Sequence, residues 1–469
     1  MIFSTYQFMF IFLPIVFAGY YILNGFKFKK LSKIWLVLAS LYFYAQGSPS
    51  FFPIFFISIT GNYIVGTTLS KMEGKTLEKK ILFGLGILAN VILLGYYKYT
   101  NFFIANFNLV TGQAYPYLEI VLPIGISFFT FQLIAFLVDS YRGETKEYDV
   151  INYLLFITFF PQLIVGPIIH HAEVVPQFEN EENQKLNLDN LAKGIFLFAI
   201  GCAKKICIAD VLTSDAQAFF ESIANTNAAL QMFPTWFHAI EYTISYYFDL
   251  SGYADMAIGL GLMFNIIIPR NFNSPYKARN FQDYWRRWHM TLSKFLSAYI
   301  FRSVYKKDSK FRNYYIATMV TFFVSGFWHG AGWTFIAWGI LNGIFVCIAA
   351  WMDKHNKKFP AVLAYSLTAI GVVLTRVLFV SEGFSEAIAV YKGMVNFTGF
   401  NEIGTFLIAR IYEALILILG MGICFFAPNS NEMADKFKPT YKNMILIGIL
   451  FALAITQMNK VVQFLYFQF

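Results

Sequence analysis

Residues 323–339 read Phe-Val-Ser-Gly-Phe-Trp-His-Gly-Ala-Gly-Trp-Thr-Phe-Ile-Ala-Trp-Gly, and they lie inside a run with no charged residue between Arg312 and Asp353. Such a run predicts helices in lipid, because about 20 consecutive apolar residues are needed to span a hydrocarbon core. A histidine at this place is a functional hypothesis in itself, since ionisable groups are costly inside a bilayer.

The composition of the whole chain agrees with this interpretation. Of its 469 residues, 57% are hydrophobic and 13% are charged, whereas soluble domains carry about 25% charged residues. We predict an all-α, polytopic integral membrane protein, residues 1–469 forming a single membrane-embedded domain with roughly 11–13 membrane helices. The apolar blocks are 7–24, 31–47, 51–69, 81–99, 117–138, 150–169, 193–213, 236–268, 313–350, 361–380, 405–426 and 443–459.

The positive charges suggest an orientation. Met1 to Gln7 contain no Lys or Arg, so the basic region of a signal peptide is missing. Basic residues follow the first block at 27–33 and recur at 71–80, two blocks later. By the positive-inside rule both loops are cytoplasmic, and we expect the N-terminus outside.

Charge and cysteine usage exclude other classes of function. The net charge of +9 fits contact with anionic lipid headgroups, and no basic stripe with interleaved aromatic residues indicates nucleic-acid binding. The four cysteines lie in apolar blocks without a CxxC pair. Adjacent residues point to different helix faces, so His170 and His171 are not expected to share a metal. We therefore predict no metal site.

His329 is the first candidate catalytic residue. A neutral imidazole in an apolar setting is suited to take a proton from a hydroxyl near neutral pH. The neighbouring glycines allow a bend or the close approach of a helix or ligand, and Trp328, Trp333 and Trp338 can wall a passage. The alternative is a histidine that only hydrogen-bonds between helices.

His289 lies in the second unusual segment, which begins polar at Pro269. From Asn280 onward, Phe281, Trp285 and Trp288 start an apolar stripe that predicts one amphipathic helix. It can be an interfacial helix with arginines that reach towards water. Alternatively, it forms a cytoplasmic vestibule that attracts a phosphate-bearing donor. The substrate-binding candidates here are Asn273, Lys277, Arg279, Trp285, Arg286 and Arg287.

Asp249 and Asp255 lie in an otherwise apolar block. An unpaired carboxylate in lipid is costly, so each needs a partner. We predict structural ion pairs, with the nearby arginines as partners.

These motifs resemble the membrane-bound O-acyltransferase family. The resemblance is closest to the bacterial branch that includes the alginate O-acetylation protein and the membrane component of peptidoglycan O-acetylation. The core motifs fall within about residues 90–345 and are joined by an N-terminal match that starts at Phe3. The segments that carry it include Gly95-Tyr-Tyr-Lys-Tyr-Thr-Asn, Leu122-Pro-Ile-Gly-Ile-Ser-Phe-Phe, Pro161-Gln-Leu-Ile-Val-Gly-Pro, Asp249-Leu-Ser-Gly-Tyr-Ala-Asp, Tyr284-Trp-Arg-Arg-Trp-His and Gly326-Phe-Trp-His-Gly.

The resemblance implies specific roles. The invariant histidine of the family falls on His329 and the second family histidine on His289. The helices would surround a central tunnel that joins a cytoplasmic donor funnel to the outer face. No cofactor is bound, and the donor substrate is acetyl-CoA. The acceptor is an exported, periplasmic acetyltransferase partner that modifies a cell-wall or secreted polysaccharide, which places the chain in the bacterial inner membrane.

Three alternatives stay open at this point. A D-alanyl transferase of the same family would use an acylated carrier protein, and a transporter would also need buried polar residues. A scaffold would only hold the exported enzyme. A smaller hypothesis makes Tyr466 a transient acyl acceptor, against the simpler interpretation of an interfacial aromatic residue.

Overall fold

The computed structural model describes residues 1–74, 76–145, 149–225, 229–306 and 311–458. Tyr466 and the hypothesis attached to it lie outside these ranges. The described residues form helices, turns and loops and contain no β-strand, so the predicted all-α class is confirmed. The chain divides into two compact units, whose boundaries follow residues 198, 255 and 269. The prediction of one functional domain is not tested by this division.

The first unit comprises residues 1–198 and 256–269. Its helices are α1 (Leu13–Gly25), α2 (Lys29–Gly47), α3 (Phe52–Lys71), α4 (Leu77–Thr111), α5 (Ile126–Arg142), α6 (Val150–Thr158), α7 (Phe160–Leu163), α8 (His171–Glu179), most of α9 (Leu188–Ala203) and the end of α11 (Met232–Met263). A π-helical turn, Phe8–Phe12, precedes α1.

The second unit comprises residues 199–255 and 270–469. Besides the rest of α9 and α11, its described helices are α10 (Asp210–Asn225), α12 (Phe281–Arg287), α13 (Met290–Leu296), α14 (Arg302–Val304), α15 (Phe311–His329), α16 (Trp333–Lys354), α17 (Ala361–Val380), α18 (Phe384–Met394), α19 (Ile403–Ala409), α20 (Ile411–Phe426), α21 (Ser430–Asp435) and α22 (Tyr441–Gln457). π-helical turns connect α9 to α10 and α13 to α14.

Length and hydropathy identify five helical segments of the described chain as candidate membrane spans, or six if one bent pair is a single span. The five are Phe8–Gly25, Pro49–Lys71, Leu77–Thr111, Trp333–Lys354 and Ala361–Val380, and the pair is Phe400–Ala409 with Ile411–Phe426, bent by 91°. This number is below the predicted 11–13 because other apolar blocks are broken into short helices or contain charged residues. The total number of crossings remains a prediction.

Two apolar blocks show why the length of an apolar block differs from the length of the helix it forms. Block 117–138 becomes helical only at Ile126, because Pro123 cannot donate a backbone hydrogen bond and Gly125 has a φ of +75°. Block 313–350 is a helical hairpin of α15 and α16. The long apolar run that contains His329 therefore supplies two packed helices.

Candidate active site

Glycines determine how closely α15 and α16 pack. A Cβ atom added to Gly326 would lie 2.4 Å from the Phe335 carbonyl oxygen, and one added to Gly339 would lie 2.4 Å from the Phe322 carbonyl oxygen. No larger residue fits at either position without moving the helices apart. The close approach that the glycines predicted is therefore the approach of a second helix.

His329 is the last residue of α15 and is buried, with 4% of its surface exposed. Its imidazole is surrounded by aromatic rings, with centroid distances of 4.9 Å to Trp328, 5.1 Å to Trp338 and 5.4 Å to Phe379. Rings of this size hold the imidazole in one place and exclude bulk water. This apolar environment is compatible with the predicted role of His329 as a general base, which stays a prediction.

The tryptophans divide into two groups. Trp328 and Trp338 are buried against His329, whereas Trp333 begins α16 and is 55% exposed. Trp285 packs on Trp338 at 5.6 Å, and its indole N–H donates to the Asn342 side-chain oxygen at 3.3 Å. Trp285 thus connects α12 to the aromatic surroundings of His329, while a substrate contact of Trp333 remains a prediction.

The predicted single amphipathic helix is wrong, because it breaks between α12 and α13. His289 occupies the break in a left-handed conformation, with a φ of +45°. The break is held by the preceding loop, in which the Asn271 carbonyl oxygen accepts from the Met290 N–H at 2.8 Å and the Asn271 side chain accepts from Thr291. His289 is buried, and its ring lies 6.2 Å from that of Phe272.

The four cations do not line one cavity. Arg286 is exposed and lines a cavity of about 310 Å³ together with Trp285 and with Ser325 of α15. Arg279 lines a different cavity of about 600 Å³ and lies over the Tyr365 ring at 5.5 Å. Arg286 is the cation placed beside the helix that carries His329.

The remaining members of the predicted binding set have protein partners. Arg287 pairs with Asp283 at 2.8 Å, and Lys277 donates to the Ala427 carbonyl oxygen at 2.7 Å. The Asn273 side-chain oxygen accepts from Asn429 at 3.2 Å. These contacts fit a structural role, and donor binding by the three residues stays a prediction.

Asp249 and Asp255 form the predicted ion pairs, but the expected arginine partners are wrong. Lys205 lies 2.6 Å from Asp249, and Lys204 lies 2.6 Å from Asp255. Both lysines belong to the π-helical turn Lys204–Ala209. A Cβ atom on Gly252 would lie 2.8 Å from the Gly201 carbonyl oxygen, so the backbones approach closely enough for these pairs.

Sequence reasoning missed Arg376, which lies on α17 and is 4% exposed. Its guanidinium carbon lies 4.2 Å from the Tyr246 ring centroid, 5.2 Å from that of Trp288 and 5.0 Å from that of Phe379. Phe379 is also in contact with His329. An arginine inside an apolar block was the available signal.

His170 and His171 share a carboxylate partner, which the sequence did not reveal. Their Nε2 atoms lie 2.7 Å and 3.2 Å from the same oxygen of buried Asp139. Both rings can reach this oxygen because His170 is the N-cap of α8 with extended backbone, so the two rings are not on successive helix positions. The absence of a shared metal stays a prediction. The Nδ1 atom of His170 accepts from the Ala172 N–H at 3.3 Å. The neutral ring therefore carries its proton on Nε2 and donates it to Asp139, as in a hydrogen-bonded cluster.

A second cluster joins Asp215, His238 and Glu241. The Nδ1 atom of His238 lies 3.0 Å from a Glu241 oxygen and 3.5 Å from an Asp215 oxygen, and their ligand-type atoms could surround a metal ion. The Nε atom of Arg410 lies 3.2 Å from the same Asp215 oxygen. A guanidinium at this place repels a metal cation, so this arrangement is also better explained as an ion-pair cluster.

Comparison with known proteins defines the class. The membrane-bound O-acyltransferase (MBOAT) family matches residues 69–386, a range that contains the core motifs and both candidate histidines. The chain belongs to this family and is a multi-pass membrane acyltransferase.

Relatives that align over most of the chain show which members of the family it is similar to. The chain is 38% identical to the peptidoglycan O-acetyltransferase of Helicobacter pylori, an alignment that covers 100% of this chain and 98% of the relative. It is 34% identical to a Pseudomonas aeruginosa protein named "Probable alginate O-acetylase AlgI", over 90% of this chain and 79% of that protein. The chain is 28% identical to the teichoic acid D-alanyltransferase of Bacillus subtilis, in an alignment that covers 56% of this chain and 67% of the relative.

Proposed function

We propose that this acyltransferase moves an acetyl group from cytoplasmic acetyl-CoA through the bacterial inner membrane to an exported acetyltransferase partner. That partner then O-acetylates a cell-wall or secreted polysaccharide. Peptidoglycan is favoured over an alginate-like polymer, because the full-length similarity to the peptidoglycan O-acetyltransferase is higher. The observation that carries the proposal is the buried His329 within its aromatic surroundings.

The chemistry assigned to His329 is general-base catalysis. A thioester is already activated, so the protein mainly has to hold a hydroxyl against its carbonyl carbon and take the hydroxyl proton. The aromatic rings around His329 give the proposed base an apolar environment. An acyl-histidine intermediate is the less favoured variant of the same site.

The cavity lined by Trp285 and Arg286 is the proposed entry for the donor. It also reaches Ser325, which precedes His329 by about one helical turn on α15. An exposed arginine at such a cavity can bind a phosphate group of the donor, since guanidinium groups match phosphate geometry. In this proposal a tunnel continues from the cavity past His329 to the outer face.

The D-alanyl transferase alternative keeps the fold and the histidine but changes the donor to an acylated carrier protein. The similarity to such an enzyme covers about half of this chain, which makes acetyl transfer the better supported reaction. A transporter or a non-enzymatic scaffold would need no base at position 329.

A vesicle experiment tests the proposal. The protein is reconstituted with labelled acetyl-CoA outside and a purified acceptor partner inside, and only chains with their cytoplasmic face outward can react. We expect label to reach the partner, and we expect His329→Ala to reduce the rate about 10²- to 10⁴-fold, the usual contribution of a general base.

The matched control is His355→Ala, which changes an exposed histidine in a polar loop. This variant should transfer at the normal rate. Normal transfer by a correctly inserted His329→Ala variant would rule out the proposed mechanism. Transfer that requires an acylated carrier protein in place of acetyl-CoA would select the D-alanyl alternative.

A further inference from the structure

Arg376 is a buried, permanently charged group in a helix that is long and apolar enough to span a membrane. Within the described part of the chain, no carboxylate lies within 4.0 Å of its guanidinium. Two lysines of the same unit differ from it, because the partly buried Lys204 and the buried Lys205 each lie within 3 Å of a carboxylate. A buried charge without such a partner requires a different explanation.

Aromatic faces provide part of that explanation. Tyr246 comes from α11, Trp288 from the break between α12 and α13, and Phe379 from the next turn of α17, so three elements surround the guanidinium. Cation–π contacts stabilise the charge, but they leave the N–H groups at the edge of the guanidinium to be satisfied separately.

Within the described residues, no hydrogen-bond partner is found for the Nε atom of Arg376 or for the hydroxyl of Tyr242. The hydroxyls of Tyr246 and Tyr284 lie close enough to the guanidinium to hydrogen-bond with it. Tyr242 stacks on Tyr246, and Tyr284 stacks on Trp288, so all three tyrosines belong to the aromatic cluster next to Arg376. Buried donors are nearly always bonded, and a group of such donors around a cation fits an incoming oxygen atom with negative charge.

The cluster adjoins the proposed base. The Phe379 ring contacts the Arg376 guanidinium at 5.0 Å and the His329 imidazole at 5.4 Å. We propose that Arg376, with the neighbouring tyrosine hydroxyls, binds the acyl carbonyl oxygen while it carries negative charge during transfer. This inference rests on the proposed function of His329.

The step balances with groups already named. The acceptor hydroxyl oxygen attacks the thioester carbonyl carbon while His329 takes the hydroxyl proton, and the carbonyl electron pair moves onto the oxygen that Arg376 binds. The carbon–sulfur bond then breaks, the carbonyl re-forms, and the leaving thiolate receives the proton from His329. The products are an ester and a free thiol. Donors aimed at a developing oxyanion commonly contribute about 10²- to 10³-fold in rate.

Three substitutions test the inference in the vesicle assay. Arg376→Gln removes the charge, Arg376→Lys keeps it in a different shape, and Arg376→Met fills the space with an apolar chain. We expect Gln and Met to lower kcat about 10²- to 10³-fold with little change in KM. Lys should retain more activity than either. All three should melt within a few degrees of the parent protein.

The control is Arg410→Gln, because Arg410 also lies over an aromatic ring, at 4.7 Å from Phe406, but pairs with Asp215. Its kcat should stay normal. The inference fails if Arg376→Met or Arg376→Gln has a kcat within about threefold of the parent. It also fails if KM alone rises, or if the loss follows thermal instability, since these indicate ground-state binding or packing.

The two proposals can fail separately. If His329→Ala is inactive while the Arg376 variants transfer normally, only the role of Arg376 is wrong. If His329→Ala transfers normally, the proposed function is wrong, and the inference about Arg376 fails with it.

Discussion

At the scale of single residues, the backbone of His289 matters as much as its imidazole. A φ of +45° is strained for most residues but tolerated by Asn. We predict that His289→Ala lowers kcat, by less than the roughly 10²-fold minimum expected for a general base at 329. The measurement is acetyl transfer by His289→Ala, His289→Asn and the parent protein under the same conditions.

The comparison of Ala with Asn separates two causes at position 289. Asn preserves the left-handed turn but lacks an imidazole. If Asn restores the parental rate, His289 serves only the backbone break between α12 and α13, and a chemical role is excluded. If both variants lose the same activity, the imidazole itself is needed near the reaction.

A second residue-scale prediction concerns Lys205, which lies within 2.7 Å of both Asp210 and Asp249. Removal of one partner from a buried pair leaves an uncompensated charge, so Lys205→Met should lower the free energy of unfolding by about 3–5 kcal/mol. Thermal melting in detergent measures the loss. The control is Lys185→Met, because the exposed Lys185–Glu182 pair should contribute about 0–1 kcal/mol.

A double variant that also removes the carboxylate partner tests whether the ion pair stabilises the turn. The Asp249→Asn variant in the Lys205→Met background should recover part of the lost stability, because one of the unpaired charges is gone. A double variant that is less stable than Lys205→Met alone would mean that the pair is not what stabilises this turn.

Residue chemistry explains which parts of the site the sequence could predict. His329 and the two aspartates were identifiable because an ionisable group stands out inside an apolar block. Their partners were not, because pairing depends on which helices lie side by side. Lys204 and Lys205 reach Asp255 and Asp249 through a π-helical turn that hydropathy does not reveal. Arg376 also stands out as an ionisable residue inside an apolar block and was overlooked, but its aromatic neighbours could not be predicted because they come from distant parts of the chain.

At the scale of secondary-structure elements, the crossing of α15 and α16 positions His329. We predict that Gly339→Leu separates the two helices, because a Cβ atom there would lie 2.4 Å from the Phe322 carbonyl oxygen and 3.0 Å from the Gly326 Cα atom. The variant should lose acetyl transfer and also melt at a lower temperature, since overpacking typically destabilises by about 1–3 kcal/mol. Melting and transfer are measured on the same preparation.

Gly422→Ala is the matched control for this crossing. Gly422 lies within α20, and a Cβ atom there has no neighbouring atom within 4 Å. Alanine favours a helix interior by about 0.5–1 kcal/mol over glycine, so this variant should be active and no less stable. If Gly339→Leu behaves like Gly422→Ala, the tight crossing is not required to place His329.

Element boundaries show where periodicity is insufficient. The stripe from Phe281 through Trp285 to Trp288 predicted one helix. The break at His289 depends on hydrogen bonds that Asn271 in the preceding loop accepts from Met290 and Thr291. The shared carboxylate partner of His170 and His171 was missed for a related reason, because a helix start places neighbouring side chains differently from a helix interior. Hydropathy predicted that these segments are helical, but it did not predict the helix breaks that depend on tertiary contacts.

At the scale of the whole molecule, the distribution of basic residues predicts how the chain enters the membrane. If α1, α2 and α3 each cross once, the loop before α2 and the loop after α3 are cytoplasmic, and the loop between α2 and α3 is outside. Phe28, Ser50 and Glu73 are exposed and lie in or next to these three connections. Single cysteines at these positions, in a chain whose four native cysteines are replaced, make the order of the crossings measurable.

We predict that a membrane-impermeant maleimide applied to intact spheroplasts labels Ser50→Cys and does not label Phe28→Cys or Glu73→Cys. A permeant maleimide should label all three, which controls for accessibility of the thiols. The choice of Phe28 and Glu73 leaves Lys27, Lys29, Lys30 and Lys71 in place, so the charges that set the orientation are unchanged. The reverse labelling pattern would put the N-terminus in the cytoplasm, and the donor side proposed for the acetyl group would then have to be reassigned along with it.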